Sequence, residues 1–195
     1  MSCIQKEIKT MRKIAIASLL ALAASMASAA DYVSIDVDHV RGLNGASDST
    51  AQYVRAGKAF GDLQLGLQSR TAQVQGGGLL NSLELTAANN KLNVAGITPF
   101  VGVGYDNGFN GGAGKSYEYG LVGATYGVKA GPGFALLGAK TRVGSTEDGP
   151  RTKQSVAFAT YSLPVAKNVS LNFNASRSYQ DIKEEAFGLG IGFSF

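Results

Sequence analysis

The chain has 195 residues, 26 of them glycine, with one cysteine, no tryptophan, 16% charged residues and a mean hydropathy of +0.03. Glycine at this level, without a G-X-Y period and beside only four prolines, excludes collagen and proline-rich linkers. One cysteine excludes a disulfide framework or a cysteine-based zinc site, while a hydrophobic fraction of 45% excludes disorder and the length fits one domain.

The first element is a targeting segment. Arg12 and Lys13 precede the apolar run Ile14 to Ala24, and Ser25-Met26-Ala27-Ser28-Ala29-Ala30 follows as a string of small residues. Residues 1–30 therefore read as a secretory signal peptide, cleaved after Ala29 or Ala30, with the true start at Met11. The run is too short to cross a bilayer as a helix. Lys6, Lys9, Arg12 and Lys13 belong to this segment with one acid, Glu7. Of the formal charge of +4, the mature part 31–195 keeps 14 basic against 13 acidic residues, a net of +1. The basicity is thus no argument for nucleic acid.

After residue 30 no apolar stretch is long enough for a membrane helix, and the pattern changes to a period of two. Val33, Ile35 and Val37 alternate with polar residues, as do Leu63, Leu65 and Leu67, then Leu83 and Leu85, then Val169, Leu171 and Phe173. Such spacing puts the apolar set on one strand face and the polar set on the other. In chain order the predicted strands are 32–40, 51–60, 63–71, 81–88, 97–105, 116–128, 134–143, 154–163, 169–178 and 185–195. Eight longer strands are the alternative. Strand 116–128 loses its alternation and is expected to hold a bulge. Short turns at 60–62, 88–91, 130–133 and 164–168 take turns with longer polar loops at 41–50, 72–80, 106–115, 144–153 and 179–184. Short turns at one end and long loops at the other are the layout of a closed antiparallel transmembrane β-barrel, with turns in the periplasm and loops outside.

The polar faces carry Asp36, Asp38, Arg55, Arg70, Glu84, Glu118, Lys140 and Arg142 near strand middles, four of each sign. A soluble sandwich would show these to water; a barrel would turn them into its lumen, since only helices and closed barrels satisfy the backbone in lipid. Equal numbers of each sign favour pairing as struts, whereas cations gathered on one wall would make an anion path. Tyr32, Phe60, Phe134, Tyr161 and Phe195 at the turn end, with Tyr105, Tyr117 and Tyr179 at the loop end, fit two aromatic girdles. His39 is the one histidine, beside Asp38; it could serve as a general base, but no nucleophile motif accompanies it. Gly111-Gly112-Ala113-Gly114-Lys115-Ser116 mimics a phosphate loop, yet Phe109 stands where the motif needs glycine, and a strand follows where it needs a helix.

The last residues add a resemblance. Phe187, Leu189, Ile191, Phe193 and Phe195 share one face, with Gly188, Gly190, Gly192 and Ser194 on the other, and the chain stops on the aromatic. This resembles the C-terminal signature of Gram-negative outer-membrane β-barrel proteins. Tyr161 to Leu171 is similar to a periplasmic hairpin of porins, apart from Pro164, and Thr98 to Tyr105 is similar to a strand of OmpA-like and opacity-type barrels. The resemblance implies outer-membrane localisation, recognition of the terminal strand by the barrel-assembly machinery, help from periplasmic chaperones, and contact with outer-membrane lipids and lipopolysaccharide. No cofactor, metal or catalysis is expected. The implied role is a narrow porin-like or structural barrel; the alternative is a surface-binding barrel acting through its loops. Inward-facing glycine on the final strand and at Gly102 and Gly104 would then provide space inside a narrow barrel.

Overall fold

Alternation of side chains along each strand builds a wall with one wet and one greasy face. The computed structural model describes residues 31–43, 48–74, 79–106, 117–146, 152–180 and 183–195. Residues 1–30, where a signal peptide is expected, the phosphate-loop mimic and the tips of the long loops lie outside the described residues. Ten strands follow one another: β1 (Tyr32–Gly42), β2 (Ser49–Phe60), β3 (Leu63–Val74), β4 (Leu79–Asn89), β5 (Ile97–Asp106), β6 (Tyr117–Ala130), β7 (Gly133–Thr146), β8 (Thr152–Ala166), β9 (Val169–Gln180) and β10 (Glu184–Ser194). Each pairs antiparallel with its chain neighbours, and β1 pairs with β10, so the sheet is a closed barrel.

At the turn end the strands stop where positive φ is needed. Gly61 (φ 60°) turns β2 into β3, Gly131 (φ 58°) turns β6 into β7, and Asn168 (φ 64°) turns β8 into β9. The β4–β5 connection is longer than the predicted turn. A single 3₁₀ turn, Asn90–Leu92, is capped by the Asn89 side chain accepting from the Lys91 amide at 3.0 Å, and a tight Val94–Ile97 bridge follows. At the loop end every strand but β6 runs one to three residues beyond its predicted limit, into segments such as 72–74 and 144–146; the predicted start of β6, residue 116, lies outside the described residues. Pairing through β6 is continuous, without the expected bulge; the register shift lies instead between Pro164 and Ala166 on β8, where proline lacks the ladder N–H.

Cross-strand partners share a face, so the registers sort every side chain. Outward stand Leu63, Leu85, Val101, Val103, Val122, Leu137, Phe173, Leu189 and Ile191, all exposed. Such a continuous apolar surface needs a lipid-like cover. Inward, the wall by the loop end is lined by Val40, Ala51, Ala72 and Ala186, packed under Tyr53 and Leu80. The rest of the interior mixes polar and charged groups with inward apolar side chains, among them Tyr119 and Leu121 packed with Phe100.

Candidate functional site: a charge-paired lumen

The strongest chemistry of the chain is gathered inside the barrel. Asp36 of β1 is 1% exposed and fully engaged: it accepts from Ser34 Oγ at 2.8 Å, from Asn174 Nδ2 at 2.9 Å and from the Arg55 guanidinium. Arg55 also donates to Gln68 Oε1 at 3.0 Å and lies 4.5 Å from the centre of the Tyr53 ring, which Arg70 approaches at 5.9 Å. A second centre forms around Glu84 of β4, which is 5% exposed. Its carboxylate receives the Lys140 ammonium, the Arg142 guanidinium at 2.7 and 3.1 Å, and the Tyr119 hydroxyl at 3.3 Å. Lys140 and Arg142 come from β7, so this contact joins β4 to β7 across two intervening strands. Arg142 continues to Gln154 Oε1 at 2.9 Å and stacks 5.0 Å over Tyr119. A carboxylate held by two cations and a hydroxyl in a confined space is pinned far more firmly than a surface pair.

Seven of the eight charges expected in the lumen are there: Asp36, Asp38, Arg55, Arg70, Glu84, Lys140 and Arg142. Glu118 is not. It pairs in register with Tyr105 and is exposed on the outer face, because Tyr119 and Leu121 take the inward positions of β6. Glycine explains the inversion. Tyr119 lies over Gly104 and Leu121 over Gly102, so bulky side chains fit inside where the opposite strand has none. The residue missed by sequence reasoning is Glu184, which faces Arg70 at 3.9 Å from the first position of β10. Its place at a loop edge hid it. The four cations do not share one wall; each meets an acid.

Asp38 is inward and buried, whereas His39 is exposed on the outer face between Thr50 and Phe187. The two therefore cannot act as one acid–base pair. Two of the expected girdle residues are also inward: Tyr32 lies over Gly57 and Phe134 over Gly127. Phe60, Tyr161, Tyr105 and Tyr179 face outward. Among the described residues, no group of acids, histidines or cysteines has the arrangement of a metal site.

Glycine also shapes the wall by β10. A Cβ at Gly190 would stand on the Asp36 carboxylate and 2.6 Å from the Ile35 carbonyl oxygen; one at Gly188 would meet Asp38. The bare backbone of β10 lets Asp36 reach across it to Asn174 of β9. From there uncharged groups continue round the wall: Thr160 bonds Asn174 at 2.9 Å, and Ser162 bonds Asn172 at 2.9 Å. The whole encloses a cavity of about 1670 Å³, lined from Asn168 and Ser194 at the turn end to Ser49 and Lys183 at the loop end.

No family model matches the chain, and no curated protein sequence is similar to it. Solved structures are similar in fold. The translocator domain of autotransporter NalP from Neisseria meningitidis aligns with 97% of this chain and 98% of its own, at TM-score 0.51 and 12% identity. Neisserial surface protein A aligns with 84% of this chain and 96% of its own, at TM-score 0.44 and 14% identity. The N-terminal barrel domain of Pseudomonas aeruginosa OprF aligns with 85% and 98%, at TM-score 0.36 and 16% identity. With its closed ring of ten antiparallel strands, its apolar exterior and its polar lumen, the chain has the fold of a small outer-membrane β-barrel.

Proposed function

We propose that this protein resides in the outer membrane as a narrow, non-catalytic pore for water and small polar solutes, its lumen acids and cations balanced so that the passage is close to neutral. The observation that carries this reading is the cavity of about 1670 Å³, with charged and polar groups set among apolar ones, whose lining reaches from one barrel end to the other. Spread along an apolar band roughly 25 Å tall, that volume averages on the order of 65 Å² in section, room for water and small solutes. The contact of Glu84 with Lys140 and Arg142 narrows the passage and braces it, which also favours a structural role within the same molecule. On this reading the terminal strand, with Phe187, Leu189, Ile191, Phe193 and Phe195 outward, presents the signal for the barrel-assembly machinery.

Planar-bilayer recording tests the pore. Small, stable single-channel steps with weak ion preference are expected. Glu84→Gln leaves Lys140 and Arg142 uncompensated and should move the preference toward anions, whereas Arg142→Glu should move it toward cations. Silence from a barrel that still shows heat-modifiable migration on gels would leave the bracing role and remove the pore.

A further inference from the structure

Nine of the ten strands break their inward run with a charge, a glycine or an apolar side chain. The exception is β9, whose inward positions Ser170, Asn172, Asn174, Ser176 and Ser178 all line the cavity. Five successive inward residues are thus uncharged and hydrogen-bonding, and they follow one another from the turn end toward the loop end. Alternation along a strand sets about 6.6 Å between such rungs, a gap spanned by a small molecule with several hydroxyl groups.

The strands beside β9 keep this row open and oriented. On one flank β10 sets Gly192, Gly190 and Gly188 beside Ser170, Asn172 and Asn174, so no side chain of β10 covers them. On the other flank the Thr160 and Ser162 hydroxyls of β8 donate to Asn174 and Asn172, both at 2.9 Å. With Ser170 at 3.3 Å, they occupy the Asn172 side-chain oxygen and leave its amide nitrogen over bare Gly192. The lumen charges, by contrast, are already engaged. Arg55 is held by Asp36 and Gln68, Lys140 and Arg142 by Glu84, and Arg70 faces Glu184. Asp38 is buried against the wall, one carboxylate oxygen over Gly188. An ionic solute therefore gives up water here for counter-charges that other groups already hold, whereas an uncharged polyol exchanges water for hydroxyl and amide partners rung by rung.

We infer that the solute class of this passage is the uncharged polyol and that the β9 row is its track, with Asn172 and Ser176 setting the preference. The inference rests on the pore proposed above and narrows its solute. Liposomes carrying the full chain are shifted into isosmotic erythritol, 4-aminobutyrate or potassium erythronate, which share a four-carbon chain and differ in charge, and swelling is followed by light scattering. Erythritol is expected to enter severalfold faster than the zwitterion or the anion. Asn172→Ala and Ser176→Ala each remove one hydrogen-bonding group and widen the lumen. Each should slow erythritol about fivefold, the worth of one hydrogen bond, while potassium chloride conductance holds or rises. Heat-modifiable migration shows that a variant is folded, and Ser176→Ala, the smaller change, carries the test alone if Asn172→Ala does not assemble. Faster erythritol entry in a folded variant would overturn the inference, because width alone would then set the rate. Equal entry of the three solutes would also overturn it and leave the pore standing. No entry of any solute through an assembled barrel would remove the pore itself, and the inference with it.

Discussion

Single side chains in this molecule matter according to how many partners they hold. Glu84 satisfies two cations and a phenol, so Glu84→Ala leaves Lys140 and Arg142 facing each other inside the wall. Breaking such a set costs about 3 kcal/mol, and the equilibrium urea midpoint of the barrel in vesicles should fall accordingly. Because the chain has no tryptophan, circular dichroism or the gel shift must follow the transition. Gly190 matters for the opposite reason, what it lacks. Gly190→Ala places a methyl on a carboxylate that Ser34, Arg55 and Asn174 already fix, so it should destabilise by about 1–3 kcal/mol, while alanine at Gly120, where nothing lies within 4 Å, should be tolerated. At the turn end Asp31 is held below the ordinary aspartate range by the Lys58 ammonium and the Ala59 amide. A depressed pKa means that its contribution is present above about pH 4 and fades as pH falls further. The protection of the Phe195 amide, whose N–H binds the Asp31 carbonyl at 3.0 Å, should fall in acid relative to its intrinsic exchange rate, and Asp31→Asn should remove that dependence.

At the scale of the strand, legibility followed from what ends an element. The turns themselves were readable because Gly61, Gly131 and Asn168 carry the positive φ that strands reject, and 60/63 matched the expected limits, but pairing runs on to 130/133 and 166, past the expected 128/134 and 163. Loop-end limits were not, because pairing continues by backbone bonds after the side-chain alternation fades, as at 72–74. The rule that apolar residues face out failed on β6, where Tyr119 and Leu121 are inward over Gly104 and Gly102 and Glu118 is displaced to the exterior. That inversion depends on glycines of the preceding strand, 15 to 19 residues back in the chain, so no local pattern within β6 shows it. The lumen charges were legible as a set, but their pairing was not: Asp36 with Arg55 and Glu84 with Lys140 and Arg142 require the strand order. The terminal strand carries its own prediction. Phe195→Ala should reduce assembled barrel in cells severalfold while leaving the barrel refolded in detergent nearly as stable, since that ring is 68% exposed; an equal loss in both would make the residue structural.

Taken as one object, the barrel is an inside-out arrangement: the exterior supplies the hydrophobic contact and the interior the ion pairs. This predicts strong dependence on an amphiphile. Nine of the ten strand pairings join chain neighbours, and one joins β1 to β10. That seam differs from the others. Outside, Val33 meets Phe193 and Ile35 meets Ile191; inside, β10 offers only glycine to Ser34, Asp36 and Asp38. Bringing the ends of a chain this long together costs on the order of 4 kcal/mol in chain entropy, a charge the hairpins do not carry. The seam is therefore expected to be the slow joint, and while it is open both β1 and β10 are edges that can pair with other molecules. The Asp36–Asn174 bond straddles that joint, so the glycines of β10 act in time as well as in space: they let a latch on β1 reach past the last strand and catch β9 as the ring shuts.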